Sequence, residues 1–112
     1  MISVKIQKNK DSKIVGYEVS GHSNSAEHGQ DIICASVSSI TQTAALGLLT
    51  VVGINIKFER DEAKGFQKVT LPSELSAEDQ IYSDIILLTM LAGLSDLYEQ
   101  YSDFIEIIIE EK

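Results

Sequence analysis

Between Asp31 and Lys57 the chain carries no charged residue. An uncharged run of this length is either a membrane span or the core helix of a folded domain. Its composition separates the two. Ser, Thr, Gly and Ala fill much of it, and Gln42 and Asn55 interrupt it, so it reads as a buried helix and its exit. Ile33, Val37, Ile40, Ala44, Leu48 and Val51 recur at steps of three and four, which is one helical face. Ser36, Ser39, Thr43 and Gly47 make a second face, whose small side chains admit a close neighbour. Asp31 is the expected N-cap and Gly53 the expected stop. A helix with one apolar face needs another layer to cover it.

The segments on either side supply that layer. Ile2, Val4 and Ile6 alternate with Ser3, Lys5 and Gln7, a half-buried strand. After the polar turn 8–13, residues 14–20 give a second strand with Val15, Tyr17 and Val19 on one face, so the two form a hairpin. Ile54, Ile56 and Phe58 alternate with Asn55, Lys57 and Glu59 as a third strand. A charged turn at 60–65 leads to a fourth over 66–71, stopped by Pro72. Ser76 and Asp79 form a capping pair at the start of a second helix. There Ile81, Ile85, Leu88, Ala92 and Ser95 follow one face, and Ile86, Leu87, Met90, Leu91, Leu94 and Leu97 cover much of the rest. A helix apolar around most of its circumference needs burial on more than one side, which in a chain this short points to a second subunit. Phe104, Ile105, Ile107, Ile108 and Ile109 form a last, largely buried strand. The expected fold class is α+β in the order β-β-α-β-β-α-β, a single-domain α/β sandwich with both helices on a mixed or antiparallel sheet.

Charge narrows the partners. The net charge is −8; residues 1–58 carry +1 and residues 59–112 carry −9. With no basic stripe, the chain lacks the clustered Lys and Arg that neutralise phosphate, so direct nucleic-acid binding is not expected. An acidic half suits a basic partner. The first residues, Met1 to Ile6, show no basic segment followed by an apolar signal run, and the one cysteine forms no internal disulfide; both point to the cytoplasm rather than a membrane. No metal-ligand pair and no glycine-rich phosphate loop is present, so neither a metal nor a cofactor is implied.

The chemistry-bearing residues cluster in one stretch, Gly21 to Cys34, which holds both histidines and the only cysteine. Residues 21–30 are small or polar and without periodicity, and read as a loop of the kind that often carries function. With Asp31 as N-cap, Cys34 is the third residue of the helix, beside unpaired amides and the positive end of the dipole. Both favour the thiolate, the nucleophilic form. His22, at the end of a strand and across the loop, is placed to assist and later to donate a proton. His28 is the alternative base. Asp31 serves either to orient His22 or to hold the loop. Ser38, one turn after Cys34, either bonds within the site or to its own helix backbone. The competing reading of Cys34 is a small buried packing residue.

The pattern Gly21-His22-Ser23, then Gly29-Gln30-Asp31-Ile32-Ile33-Cys34-Ala35-Ser36-Val37-Ser38, resembles the ribosomal-processing cysteine protease family called Prp. The likeness extends along the whole chain, residues 1–112, and Ser23 stands where many members have alanine. The resemblance implies a cysteine protease domain that removes a short N-terminal extension from bacterial large-subunit ribosomal protein twenty-seven. It implies Cys34 as nucleophile, His22 as general acid and base, an α/β sandwich, a homodimer, and a mobile loop over the site. Gly21, Asp31 and Ser38 are the supporting candidates. The alternative is a non-catalytic, ribosome-associated binding module with a structural Cys34. A redox role is weaker, because no second cysteine can resolve a disulfide.

Overall fold

The computed structural model describes the backbone of residues 1–21 and 28–112, and side chains outside 22–31. Five strands form one mixed sheet in the order β3-β4-β2-β1-β5. The strands β1 (Ile2–Lys8) and β2 (Ile14–Ser20) are the expected antiparallel hairpin. A second hairpin, β3 (Lys57–Asp61) with β4 (Phe66–Thr70), joins the sheet through antiparallel pairing of β4 with β2. The last strand, β5 (Ile105–Glu111), pairs parallel to β1. The helices α1 (His28–Leu46) and α2 (Ala77–Gln100) lie against each other over one face of this sheet.

Alternation explains which face they cover. Ile2, Val4 and Ile6 of β1 meet Tyr17 and Val19 of β2, Val69 of β4 and Ile105 of β5, all buried under Ile33, Val37, Ala44, Leu48, Leu87, Met90 and Leu94. The opposite face is polar: Lys5 lies between Glu18 and Glu110, and Ser3 donates to Glu106. Ser76 caps α2 as expected, its hydroxyl accepting the Asp79 amide at 3.1 Å.

Four expectations need correction. The helix α1 begins at His28, so Asp31 is its fourth residue rather than its N-cap, and Cys34 is the seventh. Local composition does not separate the two frames. An acid in the first turn suits the dipole as well as one at the cap, and Gly29 costs only about 1 kcal/mol inside a helix. Residues 28–30, expected in a loop, therefore belong to the helix, whereas the expectation for 22–27 falls outside the described residues.

At the other end, α1 runs into a π-helical turn, Gly47–Val52, before Gly53 ends it in the left-handed region at φ +84°. A π turn takes more residues per revolution, so the register that buries Leu48 turns Val51 outward, where it is 79% exposed. Next, β3 starts at Lys57 rather than Ile54. The amides of both Gly53 and Ile54 bond back to the Leu48 carbonyl, at 3.0 and 3.1 Å, and the chain must still cross from the helix layer to the sheet. Ile54 and Ile56 are buried on that crossing, outside the ladder. Finally, β5 is buried only at its start. It is an edge strand, and Ile109 is largely exposed while Ile105 is not.

Candidate active site

The end of β2 and the middle of α1 meet beside the β3–β4 hairpin. Between them lies a cleft of about 250 Å³, lined by Gly21, by Ser38 and Gln42 of α1, and by Arg60, Phe66 and Gln67 of the hairpin. The sequence fixes this corner locally. Gly21 has φ +93°, a region that side-chain-bearing residues rarely adopt, and a Cβ there would collide with the Met1 carbonyl. Only glycine lets β2 end against the start of β1 at the border of the cleft.

Along α1 the residues Cys34, Ser38 and Thr41 follow one another at steps of four and three, so they share one stripe of the helix. Cys34 is a free thiol, half-buried and packed against the core. Ser38 opens into the cleft one turn further on. Thr41 is buried and held from two sides. The Tyr17 hydroxyl donates to its carbonyl at 2.7 Å, and Gln67 Nε2 donates to its hydroxyl at 3.1 Å. The same hydroxyl donates to the Val37 carbonyl at 2.8 Å. Burial pushes the Tyr17 phenol far above its ordinary value, so it stays protonated and remains a donor.

Of the sequence candidates, Gly21 and Ser38 are brought together at one cleft, with Cys34 one helical turn away. His22 lies outside the described residues, as do the side chains of His28 and Asp31. The later helix start changes one argument. Cys34 sits in the second turn, and the dipole's influence falls off within the first. The amides that a helix leaves without an intrahelical partner are those of its first four residues, here ahead of Cys34. Helical side chains lean toward the N-terminus, which carries the Cys34 thiol back toward those amides.

The sequence reading missed the far wall. Arg60, Phe66 and Gln67 lie more than twenty residues beyond Cys34, and read locally they are a charged turn and a strand. One signal was available: Gln67 interrupts the inward series Gln67, Val69, Leu71 with an amide, and Thr41 does the same on α1 with a hydroxyl. Polar residues at two core-facing positions should have been paired with each other.

Comparison with known proteins places this architecture. The family model described as cysteine protease Prp matches residues 1–106. The ribosomal processing cysteine protease Prp of Bacillus subtilis is 27% identical over 107 residues, covering 96% of both chains. Two crystal structures of the essential ribosomal processing protease Prp from Staphylococcus aureus share the fold. One, in complex with a substrate peptide, has a TM-score of 0.86 at 23% identity, covering 98% of this chain and 100% of that one. The other, with a covalently linked product peptide, has a TM-score of 0.83 at 24% identity and the same coverage.

Proposed function

This chain belongs to the cysteine protease Prp family and is a cysteine protease; from that premise we propose that it removes a short N-terminal extension from a large-subunit ribosomal protein during ribosome assembly, with Cys34 as nucleophile and His22 as general acid and base. One observation carries the assignment of Cys34. A cysteine protease needs a thiol, this chain has one cysteine, and that cysteine lies on α1 one turn before the cleft. The substrate class follows the curated Bacillus subtilis relative, a ribosomal processing protease that the chain matches over nearly its full length.

The chemistry is a two-step acyl transfer. The Cys34 thiolate attacks the scissile carbonyl, and the free amides in the first turn of α1 are the donors for the oxyanion. His22 gives its proton to the leaving amine as the C–N bond breaks. A water molecule, losing a proton to His22, then attacks the thioester and releases the thiolate. What supports His22 is its place directly after Gly21, whose backbone borders the cleft. Asp31 is assigned to orienting His22 or holding the first turn, and Ser38 to the substrate side of the cleft. No cofactor or metal enters the reaction.

The protein acts as a homodimer, in the cytoplasm, without direct contact to nucleic acid. The support for the dimer is the outer surface of the helix layer. Ile81, Ile85 and Leu88 of α2 are each exposed to 57–58%, and a groove of about 530 Å³ runs between α1 and α2 past Ile40, Gly47 and Met90. An apolar surface of this kind is what a self-complementary interface covers. Both helices are apolar and long enough to cross a membrane. Instead, α1 and α2 pack on the sheet, and a partner subunit covers what remains.

The test is incubation of the wild type and of Cys34→Ala with the ribosomal protein carrying its extension, read by intact mass. A single mass loss at the extension for the wild type, absent for the variant, is the expected result. Cleavage by Cys34→Ala at the wild-type rate would remove Cys34 as nucleophile. No mass loss with either protein would overturn the substrate.

A further inference from the structure

We infer that Thr41, clamped between Tyr17 and Gln67, is a positioning residue that sets where Cys34 and Ser38 stand relative to the cleft. The inference rests on the assignment of Cys34 as nucleophile. It begins from a mismatch. Most of the surface that α1 lays on the sheet is aliphatic: Ile33, Val37, Ala44, Ala45 and Leu48. Contacts of that kind are strong but carry little direction, so they specify the angle of a helix on a sheet less sharply than hydrogen bonds do. At Thr41 the character changes. Its hydroxyl and its carbonyl both reach strands, the hydroxyl through Gln67 of β4 and the carbonyl through Tyr17 of β2. The two strands are neighbours in the sheet. One residue of α1 is thus tied at two points to adjacent strands.

All the groups in this cluster are buried, and they fit in one arrangement. Tyr17 is held as a donor by its burial. The Thr41 hydroxyl gives its proton to Val37 and so must accept from Gln67. A buried cluster in which the phenol, the hydroxyl and the Gln67 amide nitrogen each have a partner favours one helix position, because another leaves a desolvated donor without one. An aliphatic pair at 41 and 67 would fill the same space without desolvating an amide. The retained polarity is an expense that makes sense if the helix must be in one place.

The geometry connects this to the chemistry. Cys34 is seven residues before Thr41, about 10 Å along the axis and on the same stripe. With side-chain atoms at about 5–6 Å from the axis, a rotation of α1 by about ten degrees moves the thiol by about 1 Å. Misplacement on that scale costs on the order of a hundredfold in rate when reacting groups must be aligned. Gln67 also walls the cleft beside Ser38, so the clamp ties the helix to the wall of the same cleft.

The experiment compares Thr41→Val, Thr41→Ser and Gln67→Leu with the wild type, on a peptide spanning the cleavage junction, well below the melting temperature of each variant. Thr41→Val keeps the shape and removes the hydroxyl. Its kcat should fall at least tenfold while KM stays within twofold. Thr41→Ser restores the hydroxyl and should return kcat to within twofold of wild type. Gln67→Leu should lower kcat as Thr41→Val does, with KM free to change because Gln67 also lines the cleft, and its kcat decides the matter if Thr41→Val does not fold. A wild-type kcat in Gln67→Leu or Thr41→Val, with only the melting temperature lowered, would overturn the inference, since the cluster would then serve stability alone. Equal losses in Thr41→Ser and Thr41→Val would overturn it as well. The parallel Cys34→Ala control keeps the two readings apart. If it is inactive while Thr41→Val runs at full rate, only the positioning role fails; if it is active, the nucleophile assignment fails first.

Discussion

The two helices lie side by side on the same sheet and are held there in different ways. The helix α1 is tied at Thr41 by directional bonds from β2 and β4. The helix α2 is held by Leu87, Met90 and Leu94 buried in the core, with one charged contact among the described residues, where Lys13 meets Asp84, its eighth residue, at 3.2 Å. Its one buried polar side chain, Ser83, has a hydroxyl with no partner among the described residues. The lesson is about tolerance. On the proposed assignment of Cys34 as nucleophile, α1 needs a defined angle, and the bonds at Thr41 are the proposed source of it. The inner face of α2, which closes the core, needs area, and aliphatic side chains supply that.

The sharpest way to break this contrast is to cut into α2 where its area lies. Leu94→Ala, at a fully buried site, should cost about 2–5 kcal/mol of stability by thermal or denaturant unfolding. Below its melting point it should still cleave at close to the wild-type kcat. A large kcat loss in the folded variant would mean that α2 also sets the geometry of the site.

The outer surface of α2 gives the next largest effect. Ile85→Lys places a charge on the exposed apolar face beside the inter-helix groove. It should weaken self-association at least tenfold in sedimentation, with the monomer still folded, because its own core is untouched. Self-association unchanged by Ile85→Lys would rule this face out as the proposed interface.

Two smaller changes sharpen the comparison. Ser76→Ala removes the cap of α2 and should cost about 1 kcal/mol without touching the reaction. Tyr17→Phe removes one tie of α1 and should also cost about 1 kcal/mol. Its signature is pH. The Tyr17 phenol is raised above its unfolded value near 10.0, so the folded state holds the proton more tightly. The stability it contributes is fully present below pH about 10 and is lost as pH climbs above that value. Tyr17→Phe should therefore flatten the alkaline loss of stability in melts taken between pH 9 and 11. An unchanged alkaline slope would assign that loss to other groups.

Much of this architecture is local and was legible as such. The alternation of Ile2, Val4 and Ile6, the small-residue end of β2 at Gly21, and the Ser76–Asp79 cap each depend on residues within a few positions of one another. So does the Gly-His and Asp-Ile-Ile-Cys pattern, whose spacing carries the resemblance to the family. The periodicity of α1 was right from Ile33 to Leu48 and failed at Val51, where the helix widens into a π turn. Its start at His28 is not legible locally, because an acid such as Asp31 fits both the cap and the first turn.

The sequence by itself determined the order of the elements, the two hairpins, the apolar faces of both helices and the residues able to carry chemistry, because each is written in spacings of two to four residues. The tertiary structure decided which edge of the sheet β5 joins, which hairpin walls the cleft, and that Gln67 and Thr41 share a hydrogen bond across 26 positions. Those outcomes turn on burying polar groups only where partners exist and on packing whole layers together. Such conditions are met between segments far apart in the chain, so no short window of residues contains them.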